Sequence, residues 1–160
     1  KGAVGVGSHI EKSFSLNFIV SLRWSGCVIL FTSTFSNSKA KTVSTKQTSN
    51  GFMYEDDGKR FGSIEQRQFE TLHFAAEQEP HRLSLSFKRN VGGEPSQEHG
   101  GYEGMPKQRQ LKLVIHGWQS LPESIMFGTQ TIRDFEYNAA NKQLTIGLQW
   151  DHHSKTLVVE

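Results

Sequence analysis

One cysteine in 160 residues excludes an internal disulfide and any thiolate zinc site, since each needs several sulfurs at close spacing. Cys27 stands in the apolar run Gly26-Cys27-Val28-Ile29-Leu30, the setting expected of a buried, unreactive thiol. A surplus of one charge is missing too. The formal net charge is +2, and Lys and Arg are interspersed with Asp and Glu, so no basic face steers the chain toward nucleic acid. No Gly-x-Ser-x-Gly elbow accompanies the Ser, His and Asp residues. The glycines near Gly92 and Gly100 are not followed by a lysine-serine pair and a helix, which removes a phosphate cradle. No cofactor is implied. Phe14 to Phe31 has the length of a membrane span, but Asn17, Arg23 and several serines lie inside it. An arginine near the centre costs about 2.5–3.5 kcal/mol on insertion scales, so no membrane partner is expected.

What the chain does contain is short runs of alternating apolar and polar residues. Phe14, Leu16, Phe18, Val20, Leu22 and Trp24 alternate with mostly polar neighbours, the period of a strand with one buried face. After Ser25-Gly26, Cys27 to Phe31 is apolar throughout and suits a strand covered on both sides. Thr32 to Asn50 loses the periodicity and reads as an exposed linker, with Lys39, Lys41 and Lys46 as solvated charge. Beyond it lie alternating sets at Leu83, Leu85 and Phe87, at Leu111, Leu113 and Ile115, and at Leu144, Ile146, Leu148 and Trp150. Ile125 to Gly128, Phe135 to Tyr137 and Leu157 to Val159 are shorter. Gln78 to His81, Asn138 to Asn141 and Asp151 to Ser154 are turn clusters.

Many short strands spaced by turns, with no helical run, predict an all-β fold: an antiparallel β-sandwich of roughly eight or more short strands. The composition divides the chain into an N-terminal segment, 1–50, holding a strand pair over 13–31 and a polar linker over 32–50, and a sandwich over 51–160. Lys1 in place of Met is read as the mark of a fragment or processed product.

The most distinctive stretch is Gly51-Phe52-Met53-Tyr54-Glu55-Asp56-Asp57-Gly58, an aromatic strand running into three acids. Asp57-Gly58 is a hairpin signal, because Gly accepts positive φ freely and Asp tolerates it. Three close carboxylates raise the question of catalysis, yet adjacent strand residues point to opposite faces, and a solvated corner does not raise a pKa. Glu55, Asp56 and Asp57 are also candidate calcium ligands, although the spacing lacks the Asp-x-Asp-x-Asp-Gly ladder. Turn formation is the reading preferred for them, and no metal is assigned. His152-His153 and His116 are set aside as a metal site for the same geometric reason. For carbohydrate, which stacks its C–H faces on flat rings, the candidates are Trp118, Trp150, Tyr102 and Tyr137: Tyr102 lies in the glycine-rich loop Asn90 to Pro106, with Glu103 and Arg109 as polar neighbours, Trp118 stands at a strand end open to exposure, and a structural role is the reading preferred for each. Trp150 shares the phase of Leu144, Ile146 and Leu148 and is assigned to the core.

Several of these segments together carry a resemblance. Phe52 to Gly58, then Gly100-Gly101-Tyr102-Glu103-Gly104-Met105-Pro106, then Arg109 and Leu111 to Ile115 with His116-Gly117, then Pro122, and last Phe135-Glu136-Tyr137-Asn138 before Leu144 to Leu148, resemble the distal C-terminal β-sandwich domain of glycoside hydrolase family 31. That family holds α-glucosidases, α-xylosidases and related transglycosylases. The resemblance runs from about Gly51 to Glu160, and it implies an accessory domain. The family's catalytic aspartates lie in an upstream (β/α)-barrel, which needs about 250 residues, so no catalytic residue is carried onto this chain. The resemblance implies the catalytic barrel of a parent enzyme as partner; oligo- or polysaccharide is the partner under the alternative, an autonomous carbohydrate-binding module that uses loop aromatics.

Overall fold

The computed structural model describes residues 18–24, 27–33, 47–59, 61–79, 81–93 and 101–160. All regular structure among them is β. The strands are β1 (Phe18–Trp24), β2 (Cys27–Ser33), β3 (Gln47–Glu55), β4 (Glu70–Glu79), β5 (Arg82–Val91), β6 (Arg109–His116), β7 (Ile125–Phe127), β8 (Gln130–Thr131), β9 (Phe135–Asn138), β10 (Gln143–Trp150) and β11 (Lys155–Val159). One sheet has the order β2-β1-β6-β10-β9 and the other β3-β4-β5-β11-β7-β8, with antiparallel pairing throughout.

Alternation explains which face each strand buries. Leu72, Phe74 and Ala76 of β4, Leu83, Leu85 and Phe87 of β5, and Leu157 and Val159 of β11 point inward from one sheet. Leu111, Leu113 and Ile115 of β6 meet them with Leu144, Ile146, Leu148 and Trp150 of β10. Each such side chain, fully buried, contributes about 1.5–3 kcal/mol before conformational entropy is set against it. Aromatic edges tie the two layers together: Phe74 and Phe87 pack edge to face at 5.5 Å, and Trp150 of the opposite sheet lies 5.6 Å from Phe87. The indole N–H of Trp150 donates to the carbonyl of His153 at 2.7 Å, so burial leaves that donor satisfied.

Two features differ from the reading of the sequence. The composition change at residue 50 falls inside β3, which begins at Gln47 and pairs with β4 along its length, from Gln47 opposite Gln78 to Glu55 opposite Glu70. The chain also does not turn tightly at Asp57-Gly58 into the next strand, because residues 56–69 separate β3 from β4. The turn chemistry is present and does a different job. The Oδ1 atoms of Asp56 and Asp57 accept the backbone N–H of Gly58 at 2.8 Å and of Lys59 at 3.0 Å, and Gly58 takes φ of 62°. These bonds bend the chain out of the sheet into a second turn, closed by Gln66 N–H on the Gly62 carbonyl at 3.0 Å and Gln68 N–H on Ser63 at 2.8 Å.

β1 pairs with β2 and, through Leu22 opposite Leu113, with β6. No helix among the described residues is long and apolar enough to cross a membrane. The expected burial of Cys27, the start of the strand expected from residue 13, most of the Thr32 to Asn50 linker and the middle of the Asn90 to Pro106 loop lie outside the described residues and side chains.

Candidate functional site

At one end of the sandwich the inward phase of the strands stops being apolar. Glu70 opens β4 in register with Leu72 and Phe74, and Arg109 opens β6 in register with Leu111 and Leu113. Both are sealed from water, at 0% and 4% exposure. Glu55, the last residue of β3, faces the same point. One guanidinium nitrogen of Arg109, Nη2, donates to Oε2 of Glu55 and to Oε1 of Glu70, so a single cation joins two carboxylates from neighbouring strands. Arg89 of β5 supplies a second cation, 3.8 Å from Glu70 Oε2.

Tyr102 closes this cluster from the loop before β6. Its hydroxyl is 3.1 Å from Glu70 Oε1 and 3.3 Å from Glu55 Oε2. Burial, followed by the charges of Glu70 and Glu55, pushes the phenol pKa far up, so the group serves as a hydrogen-bond donor and not as an acid. Gly101 makes the approach possible. It holds φ of 88°, and a Cβ there would sit 2.8 Å from Met105 Sδ, while its N–H donates to the Arg67 carbonyl at 3.2 Å.

His152 completes the group from the turn between β10 and β11. It is buried at positive φ, 66°, with its ring edge-on to Trp150 at 5.0 Å and Nδ1 3.3 Å from Arg89 Nη1. Burial first, and then the charges of Arg89 and Arg109, lower its pKa to about 4. The imidazole is therefore neutral at neutral pH, and Nδ1 accepts from the guanidinium.

Of the residues singled out in the sequence, this arrangement unites Glu55, Tyr102 and Arg109. Glu103, next to Tyr102, is exposed. Asp56 and Asp57 make the local turn, and Asp56 Oδ2 also accepts the Tyr54 hydroxyl at 3.0 Å. Among the described residues no three His, Cys, Asp or Glu side chains are placed to hold a metal ion, and Glu55 turns away from its two neighbours as a strand residue must. Trp118 lacks the exposure that the sequence left open to it. It is 6% exposed and belongs to the core cluster, at the opposite end of the sandwich from Tyr102, so its ring is no surface platform. Glu70 and Arg89 are absent from the sequence reading, and His152 figures there only as a metal candidate set aside in a polar turn. The signal for Glu70 was its place in the inward phase of β4.

Chemically, a cluster of two carboxylates, two guanidiniums, a phenol and a neutral imidazole, with Glu70, Arg109 and His152 buried and Glu55, Arg89 and Tyr102 half-buried, is a clamp. It holds the 101–106 loop, the end of β3 and the β10–β11 turn in one place. Breaking such a buried group by removing one partner costs about 3–5 kcal/mol, although the intact pair adds less than its Coulomb energy suggests.

The exposed surface has a different character. Phe52 and Tyr54 stand outward on β3, the edge strand, and Phe61 and Ile64 stand outward on the loop between β3 and β4. Phe52 stacks on His73 of β4 at 6.0 Å and Tyr54 on Phe69 at 5.2 Å.

The sequence matches no family profile and no curated protein. The fold does have counterparts. A GH31 dextranase from Flavobacterium johnsoniae, solved in complex with glucose, superposes with a TM-score of 0.54 at 13% identity over 72% of this chain. An aspartate-to-alanine variant of that enzyme, complexed with isomaltotriose, gives a TM-score of 0.55 at 13% identity over 73% of this chain. The chain spans 15% of the length of either, and the likeness is one of fold: an all-β sandwich resembling part of a GH31 enzyme.

Proposed function

We propose that this chain is a noncatalytic accessory β-sandwich of a family 31 α-glycosidase, docked on the enzyme's catalytic barrel. The observation that carries this reading is the fold likeness to a small part of a GH31 dextranase, in agreement with the ordered motifs from Phe52 to Leu148. The clamp fits a buttressing role, because it makes one end of the sandwich rigid without presenting an accessible acid/base pair. Phe52, Tyr54, Phe61 and Ile64 form the apolar face offered to the barrel. Exposed aromatics grouped on one edge mark an interaction surface more often than an isolated exposed residue does.

Detection of the native polypeptide with an antibody raised against this chain tests the reading. The expected antigen is several times longer than 160 residues and co-purifies with hydrolysis of aryl α-glucosides, whereas the chain alone gives no turnover. Turnover by the chain alone, or a native antigen of the chain's own size, would overturn it.

A further inference from the structure

Where β3 leaves the sheet, an open groove of about 430 Å³ runs between the end of that strand and the loop that follows it. Its apolar walls are Tyr54, Phe61 and Ile64, and two carboxylates, Asp56 and Glu65, line it with them. Phe61 is fully exposed and Ile64 largely so. Apolar carbon and negative charge thus stand in water side by side.

The groove is built before any partner arrives. The Tyr54 ring stacks on Phe69 at 5.2 Å, and its hydroxyl donates to Asp56 Oδ2 at 3.0 Å. Asp56 is held in turn by the Gly58 N–H, which donates to its Oδ1 at 2.8 Å. The turn that carries Ile64 and Glu65 is closed by the N–H groups of Gln66 and Gln68 on the carbonyls of Gly62 and Ser63, and Ser63 is buried beneath it. The pKa of the Tyr54 phenol is raised, by burial first, then by its bond to Asp56 and the charge of that group, and then by the charge of Glu65. Both carboxylates therefore bear on one point of the groove.

That charge is not answered from within the described residues. No lysine or arginine among them forms an ion pair with Asp56 or Glu65. Lys59 and Arg67, in the same loop, do not line the groove, and Arg67 lies against Gly92. An anion is repelled by the two carboxylates, and a wholly apolar side chain would cover them without a partner. A guanidinium suits both halves of the surface, because it is planar and weakly hydrated, stacks on aromatic faces and donates to carboxylates.

On the proposal that this edge is the docking face, we infer that the groove seats an arginine side chain of the docked partner, with its guanidinium against Phe61 and Tyr54 and its N–H groups toward Asp56 and Glu65.

The test titrates the full chain at constant ionic strength with N-acetyl-arginine amide and with N-acetyl-citrulline amide, which has nearly the same shape without the charge. Backbone amide signals in a ¹H–¹⁵N spectrum report binding. The amides of Gly62 to Glu65 are expected to move saturably with the arginine compound, with a Kd on the order of 10 mM. Citrulline binds at least about fivefold more weakly. Asp56→Asn combined with Glu65→Gln weakens arginine binding at least about fivefold, and Phe61→Ala about threefold, in spectra that stay folded, since asparagine keeps the turn bond at position 56. Arg60 belongs to the same loop by sequence, so Arg60→Gln is titrated beside these variants and is expected to bind as the unaltered chain does. The assignment is overturned by no saturable shift at up to about 20 times that Kd, by citrulline binding as well as arginine, by unchanged binding in the folded double variant, or by binding in Arg60→Gln alone, which would give the groove to the chain's own Arg60. Binding is read on the chain by itself. Its failure would leave the length of the native antigen unchanged, and a native antigen of the chain's own size would leave arginine binding as measured.

Discussion

Replacing Arg109 by methionine keeps most of the side-chain volume and removes the one cation shared by Glu55 and Glu70. Glu70 is fully buried, and its other cationic neighbour, Arg89, is 3.8 Å from the far oxygen. The carboxylate that faced Arg109 is left with the Tyr102 hydroxyl at 3.1 Å. Removing one partner of a buried ion group costs about 3–5 kcal/mol, which for a domain of this size lowers Tm by roughly 6–20 °C. Urea unfolding of the full chain at neutral pH, followed by Trp fluorescence and circular dichroism together, measures the loss, with an unchanged m-value showing that the unfolded state is the same. The double variant Arg109→Met with Glu70→Gln removes the cation and the buried charge together. It is expected to be less damaging than the sum of the two singles by about 2 kcal/mol, the coupling of groups in direct contact. A loss below about 1 kcal/mol in Arg109→Met, the scale of an exposed ion pair, would refute the clamp. Strict additivity in the double variant would refute it independently.

Three other perturbations act on the same end of the molecule. His152 resists protonation in the fold down to about pH 4, whereas the unfolded chain takes the proton near 6.5. Between those values the unfolded state binds more protons, so the stability set by this group is complete above pH 6.5, falls toward pH 4 and is level below it. The loss is about 2 kcal/mol once solvent screening is allowed for, and it is read from urea midpoints against pH. His152→Asn, which tolerates the left-handed backbone, flattens that window, and a persistent step would assign it to another group. Gly101→Ala forces a Cβ against Met105 Sδ at 2.8 Å and Val91 Cγ1 at 3.3 Å in a backbone at φ of 88°. It costs about 1–3 kcal/mol, seen as a lower urea midpoint. Trp150→Ala opens a cavity between Phe74, Phe87 and His152 and costs about 3–5 kcal/mol, measured by circular dichroism because the reporting indole is lost.

Most of the sandwich was legible because period-two alternation is a one-dimensional statement. Leu111, Leu113 and Ile115 can share only one face of a strand, and so can Leu144, Ile146, Leu148 and Trp150; the structure packs both sets inward. Connections were less legible. Asp57-Gly58 carries a hairpin's residues, yet whether a turn returns the chain at once or bends it into a loop depends on the residues beyond it, and here Gly62 to Gln68 forms a turn of its own. Trp118 shows the limit of local reading in another way. His116-Gly117 ends β6, and a residue just past a strand is exposed unless another element covers it. That cover includes Tyr137 and Lys142, about twenty residues on, whose contacts fix the Trp118 backbone.

The acids of the Phe52 to Gly58 stretch illustrate the same division within a few residues. Taken as three turn-forming carboxylates they are alike, but strand geometry separates them. Glu55 is the last residue paired in β3, opposite Glu70, so its side chain is committed to a face; Asp56 and Asp57 come after the pairing ends and bond to their own backbone. Two glutamates opposite each other on antiparallel strands repel, and that arrangement persists only if a cation lies between them. The sequence contains a matching sign: Arg109 lies two residues before Leu111 in the inward phase of β6, as Glu70 lies two before Leu72 in β4. Opposite charges at the inward phase of strand ends could have been paired before any coordinates were known. What the sequence could not supply is that β4 and β6, in different sheets, bring those ends to the same end of the sandwich. Exchanging the pair tests this account. Glu70→Arg with Arg109→Glu sets a second guanidinium beside Arg89, which now lies 3.8 Å from the Glu70 carboxylate, so the exchange should fail to restore stability in urea. A full rescue would show that Arg89 plays no part in the clamp.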